Sequence, residues 1–253
     1  MIRVKTAKQI DGIRVASRFL VEVLTELEQR VEPGVTTRRL DGIAREMLEK
    51  MGARPAFLGY MGFPAALCTS VDSAVIHGIP DDTPLVEGQV VGIDCGVEYR
   101  GYYSDSAITV PVGDVSTEVR RLMEVTKESL ALGIEKATAG NRVRDISRAI
   151  YEHVTGHGYG VVRPYCGHGV GLDIHEDPQI PNYISSGPNP RLKNGMVIAI
   201  EPMINLGGDD VDVLDDDWTV VTTDRSISAH FEHTVAVGSD GAEILTSRSG
   251  GGV

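Results

Sequence analysis

Apolar residues recur at helical spacing over 7–30, where Ile10, Ile13, Val21, Leu24 and Leu27 share one side and Glu32-Pro33-Gly34 ends the run. A second helix is predicted over 37–51, with Leu40, Ile43, Ala44, Met47 and Leu48 as its apolar face and Gly52 as its stop. Strand-like runs follow at 56–58, 65–71, 89–97 and 102–110. The same order then returns: helices over 117–137 and 143–154, then strand-like runs at 160–163, 196–204, 219–223 and 229–237. Sliding the chain by 106 residues lays Gly34 on Gly140, Leu40 on Ile146, Leu48 on Val154 and Gly52 on Gly158. That similarity predicts a duplicated helix–helix–strand unit within a single α+β domain, its halves spanning about 1–113 and 114–248. Residues 185–190 read as a surface loop and 249–253 as a flexible tail.

Two acidic residues change this picture from a fold to a site. Asp94 and Asp105 sit in the 89–97 and 102–110 runs, which the intervening sequence joins as a tight hairpin. A turn centred on Tyr99-Arg100 would set the two aspartates directly opposite, where like charges are destabilising. Carboxylates held that close need a shared proton or a cation. The second half of the chain favours the cation, because it supplies His168, Glu201 and Glu232. Glu201 ends the apolar run MVIAIEP and Glu232 lies within AHFEHTVAV, where an unpaired carboxylate is costly. A salt bridge would explain either one alone, but none of the 24 Lys and Arg residues lies in these segments. Four carboxylates and an imidazole suit a pair of divalent metals. His77 in AVIHGIP and His175 in DIHEDP read singly as a strand end and a polar loop; together with the acidic set they become candidates for the same site. Cys95 alternates with Asp94 and points to the other sheet face, while Cys166 reads as structural.

Composition narrows the class further. The 253 residues are 42% hydrophobic and 24% charged, ordinary for a soluble globular protein. A formal charge of -12 argues against direct nucleic-acid binding, and no apolar run is long enough to span a membrane. The first residues carry no apolar signal core, and three widely spaced cysteines fit free thiols, so the expected location is cytoplasmic.

The segments HGIPDD, VVGIDCGVEYRGYYSDSAITV, GHGVGLDIHEDPQIPN, GMVIAIEPMI and WTVVTTDRSISAHFEHTVAV resemble those of type I methionine aminopeptidases, over nearly the whole chain. The resemblance implies a pseudo-two-fold pita-bread fold, a curved and mostly antiparallel sheet with helices on its outer face. It implies a dinuclear centre (Co, Mn, Fe or Zn) held by Asp94, Asp105, His168, Glu201 and Glu232, with Asp105 and Glu232 bridging. It makes His77 and His175 substrate-contacting and catalytic with Glu201, and builds a methionine pocket from Tyr60, Cys68 and Trp218. The implied activity is removal of N-terminal methionine from peptides and nascent chains with a small second residue, by a monomer that associates transiently with ribosomes. Met61, Phe63 and Ile174 depart from residues common in the family and bear on pocket shape. Two other readings share the fold: an X-Pro aminopeptidase or prolidase, and a non-catalytic binding module.

Overall fold

The computed structural model describes residues 1–248, so the expectation for the 249–253 tail lies outside the described residues. Four helices cover one side of a set of antiparallel strands. Helix α1 (Ala7–Arg30) starts at a Thr6 cap that exchanges hydrogen bonds with Gln9, and it buries Leu20, Val23, Leu24 and Leu27. Helix α2 (Thr37–Lys50) is capped by Thr36 and followed at Gly52 by a left-handed residue. Helices α3 (Thr117–Glu135) and α4 (Val143–Gly156) follow the same plan, and Gly158 repeats the left-handed stop.

Element bounds repeat along the chain. An offset of 106 carries α2 onto α4 at both ends, and the short strand Arg54–Pro55 onto Gly160–Val161. It also carries the long strand Val90–Tyr99 onto 196–205, which is divided into Val197–Ile200 and Met203–Asn205.

The long hairpin of Val90–Tyr99 and Tyr102–Pro111 corrects the sequence-based register. Its turn is Arg100-Gly101, both with positive φ (53° and 81°), so Tyr99 pairs with Tyr102. A two-residue hairpin turn with both central residues left-handed is met most easily with glycine at the second, which Tyr99-Arg100 lacks. Asp94 therefore faces Ala107, and Asp105 faces Gly96. The aspartates are diagonal neighbours on one face instead of direct partners. Ile93, Cys95 and Val97 alternate with them and are fully buried in the core beneath the helices.

Other strands also depart from expectation. The 56–58 run is not a strand; pairing stops at Pro55, and positive φ at Gly59, Met61 and Gly62 turns the chain away. The 196–204 run breaks at Glu201-Pro202, where proline offers no N–H to a ladder. The 229–237 run breaks at Phe231-Glu232 into Ser228–His230 and His233–Val237. Short strands such as Ala74–Ile76, Val211–Val213 and Ala242–Ile244 carry too little periodicity to be read from sequence.

Helix α1 meets the hairpin at close range. A Cβ on Gly12 would lie 2.4 Å from the Tyr102 ring, and Ser17 Oγ is 2.8 Å from Ser104 Oγ. Gly to Ala inside a helix ordinarily stabilises by about 1 kcal/mol. At this contact the sign should invert, so that Gly12→Ala lowers the urea midpoint. A raised midpoint would show that Tyr102 moves aside freely.

Candidate metal centre

The face of the hairpin that carries Asp94 and Asp105 meets Glu201 and Glu232, each at an interruption of a strand. His168 comes from the strand Gly167–Gly169, which pairs with Val197–Ile200. Asp105, Glu232 and His168 are 3%, 2% and 9% exposed, and Asp94 and Glu201 are half-buried.

Donor atoms fall into overlapping triads, each within 4.8 Å: Asp94–Asp105–Glu232, His168–Glu201–Glu232 and Asp105–His168–His175. Glu232 belongs to the first and second, Asp105 to the first and third, and His168 to the second and third. His168 Nε2 lies 3.5 Å from Glu201 Oε1 and 3.8 Å from Asp105 Oδ2. Its Nδ1 lies 2.9 Å from the Gly169 carbonyl oxygen, which leaves Nε2 as the donor atom facing the carboxylates.

Oδ1 of Asp94, Oδ1 of Asp105 and Oε1 of Glu232 are buried with no hydrogen-bond partner. No Lys or Arg of the described residues lies within 4.0 Å of the four carboxylates. Burial, reinforced by neighbouring acidic groups at three of them, pushes the carboxyls up: Glu201 to about 8, Asp105 and Glu232 well above the usual range. Asp94 is raised to about 7 by burial, against a hydrogen bond with Asp105 that pulls the other way. Burial, with His175 adding repulsion, takes His168 down to about 3. These are oxygen donors and a neutral imidazole facing one another, the chemistry that divalent cations complete.

Hydroxyl groups hold the two acidic regions together. Thr234 Oγ1 accepts from the Asp105 N–H (3.1 Å) and donates to the Asp105 carbonyl (2.7 Å). Ser106 Oγ donates to the Glu232 carbonyl at 2.6 Å, and the Glu232 N–H donates to the Ala107 carbonyl at 2.9 Å. Thr109 and His230 exchange a similar pair. Side chains thus replace a ladder where Tyr102–Pro111 runs beside 228–237, and the strands divide into four hydrogen-bonded sheets.

A cavity of about 690 Å³ opens over the carboxylates. Phe57, Phe63, Cys68 and Ile174 form an apolar cluster with Trp218 at its edge, and Phe63 meets the Trp218 ring edge-on at 5.1 Å. Tyr60 OH is 3.1 Å from His175 Nδ1, and the His175 ring lies 4.3 Å from that of His168. His77 sits at positive φ between Tyr165 and Trp218, its pKa lowered to about 4 by burial and by His175. Met61 is 82% exposed at the mouth, whereas Phe63 is buried in the wall and Ile174 is buried in the same apolar cluster. Cys166 also lines the cavity.

Residues 11–239 match metallopeptidase family M24. The chain is 50% identical to the methionine aminopeptidase of Clostridium perfringens over 246 residues, covering 97% of this chain and 99% of that one. The chain belongs to the methionine aminopeptidases of family M24. Its fold is that of the methionine aminopeptidase from Rickettsia prowazekii, with a TM-score of 0.95 at 42% identity, covering 98% of this chain and all of that one. The α+β pita-bread architecture expected from the sequence is therefore present. A prolidase from Pyrococcus furiosus superposes less well, with a TM-score of 0.80 at 27% identity over 97% of this chain and 66% of that one. No helix among the described residues of this M24 metallopeptidase is long and apolar enough to cross a membrane.

The structure brings together all five sequence-predicted donors and both histidines, and places Tyr60, Cys68 and Trp218 around one cavity. Sequence reasoning missed Phe57 and His230. His230 is buried, with Nε2 lacking a hydrogen bond and 3.7 Å from Glu201 Oε2. Its spacing of two residues from Glu232 was the available signal, obscured by the strand break between them.

Without cations, the folded protein retains protons on its raised carboxyls that the unfolded chain releases above about pH 4. That contribution is present at low pH and is lost as pH rises toward 7 and 8, at about 1.4 kcal/mol per pH unit for each group still protonated. The depressed histidines act in the opposite sense, but only below their unfolded value of about 6.5. Chelated protein should therefore lose Tm from about pH 6.5 to 8, and divalent cations should remove that slope. A flat chelated profile would contradict the arrangement. Thr234→Val should weaken manganese binding by calorimetry about 10- to 100-fold, with Thr234→Ser close to wild type; equal affinity in all three would free Asp105 from the seam.

Proposed function

We propose that this M24 metallopeptidase cleaves N-terminal methionine from peptides through two divalent cations held by Asp94, Asp105, His168, Glu201 and Glu232. The observation that carries the reading is the set of facing carboxylates, three of their oxygens buried and unpartnered, with no Lys or Arg among the described residues in reach. Among the four carboxylates, Asp105 and Glu232 each join the Asp94 triad to one that contains His168, which supports them as the bridging pair. When bound, such cations generate a nucleophile from water near neutral pH, polarise the scissile carbonyl and hold the free α-amine. Cobalt, manganese, iron and zinc all suit this donor set.

The protein's own groups do the rest. With Tyr60 OH donating to Nδ1, the His175 ring carries its proton on Nε2 and stabilises the developing oxyanion. Glu201, which lines the cavity, takes the proton of the attacking water and returns it to the leaving amine. His77 holds the backbone of the second residue or assists the departing nitrogen. Phe57, Phe63, Cys68 and Trp218 offer an apolar, polarisable wall suited to a thioether, and a tight fit for the second residue would restrict cleavage to small side chains.

The repeated element bounds support reading the chain as one catalytic domain of two pseudo-symmetric halves, 1–113 and 114–248. Three free cysteines, two of them buried, fit a reducing cytoplasm, where a monomer would meet nascent chains and touch the ribosome transiently.

Met-Ala-Ser should be hydrolysed and X-Pro peptides left intact; the reverse preference would move the chain to the prolidases. His77→Ala should lower kcat about 100- to 10,000-fold with metal content unchanged. Asp105→Asn should instead abolish metal loading by elemental analysis, and normal loading there would refute its bridging role.

A further inference from the structure

The geometry points to Lys5 and Glu176 as positioning residues for His175, a buried ion pair that fixes the loop presenting this imidazole to the substrate. The inference rests on the reading of His175 as the donor to the reacting carbonyl oxygen.

Lys5 is the one Lys or Arg buried among the described residues, at 4% exposure. Its charge does not serve the four carboxylates. Nζ lies 2.9 Å from Glu176 Oε2, and the two side chains are 1% and 2% exposed. The other oxygen of Glu176, Oε1, accepts the N–H groups of Leu172 (2.7 Å) and Asp173 (3.2 Å). The Glu176 carboxylate thereby closes residues 172–176 into a loop, and His175 is its immediate neighbour in the chain. The loop's entry is equally tight. Gly171 has φ of 130°, and a Cβ there would meet Ile13 Cδ1 at 2.4 Å and Lys5 Cε at 3.3 Å. Lys5 is anchored in turn, since its N–H donates to the Gly195 carbonyl at 2.7 Å and the next residue, Thr6, caps α1.

A continuous chain of contacts thus runs from the start of α1 through Lys5 and Glu176 to His175. Stability alone gives little reason for a charge pair here, because replacing both members of a buried pair with uncharged groups is often neutral. Orientation gives one: a carboxylate held by a fixed ammonium can grip two loop N–H groups at once. Displacement of a reacting group by about 1 Å is enough to cost about 100-fold in rate.

The test uses the manganese-loaded full chain with Met-Ala-Ser. Lys5→Met should lower kcat about 100-fold with KM and metal stoichiometry little changed, and Lys5→Arg should retain most activity. In a His175→Ala background, Lys5→Met should have no further effect on kcat. Should Lys5→Met fail to fold, the double variant Lys5→Met/Glu176→Gln leaves no charge unpaired and carries the same expectation. Wild-type turnover in His175→Ala would remove the role of His175 itself. Impaired His175→Ala beside fully active Lys5 variants would overturn the positioning role alone, as would Lys5→Met and His175→Ala effects that multiply.

Discussion

Four carboxylates set against one another, with no Lys or Arg among the described residues to neutralise them, are the constraint on which the site depends. In isolation such a cluster must retain protons, and its raised carboxyls and depressed imidazole record that cost. Divalent cations reverse the balance, since they favour the ionised carboxylates and the neutral histidine that burial alone would hold apart. The rest of the fold is then the scaffold that can keep like charges together until the cations arrive.

That scaffold relies on backbone that is kept out of regular pairing. Glu201 and Glu232 occupy gaps in otherwise continuous strands, where pleat alternation no longer dictates their direction. Beside them, Ser106, Thr109 and Thr234 join two strands through hydroxyl hydrogen bonds of 2.6 to 3.1 Å, which fix the Asp105 segment against the Glu232 segment. The histidines depend on equally local devices: a positive φ at His77, and the closed 172–176 loop at His175. Asp94, Asp105 and His168 lie on strands, Glu201 and Glu232 at strand breaks, and His77 and His175 on loops, around a cavity with an apolar wall beside an acidic floor.

The sequence alone determined the helices, the α+β class and the acidic and histidine residues that the fold gathers at one place. Each follows from local signals: 3.6-residue periodicity with caps for the helices, and acidic residues stranded in apolar segments for the site. The repeat offset was legible from a handful of glycines and apolar positions, because helix stops demand left-handed residues wherever they fall. Tertiary structure alone decided what depends on contacts across the chain. The turn at Arg100-Gly101 set the aspartates diagonal, and Pro202 and Glu232 interrupted strands that read as continuous. Phe57 and the Lys5–Glu176 pair joined the site from segments whose spacing carries no periodic signal, and the strand break at Phe231-Glu232 hid the spacing of His230 from Glu232. Periodicity reports which face a residue occupies within one element; only packing between elements fixes which faces meet.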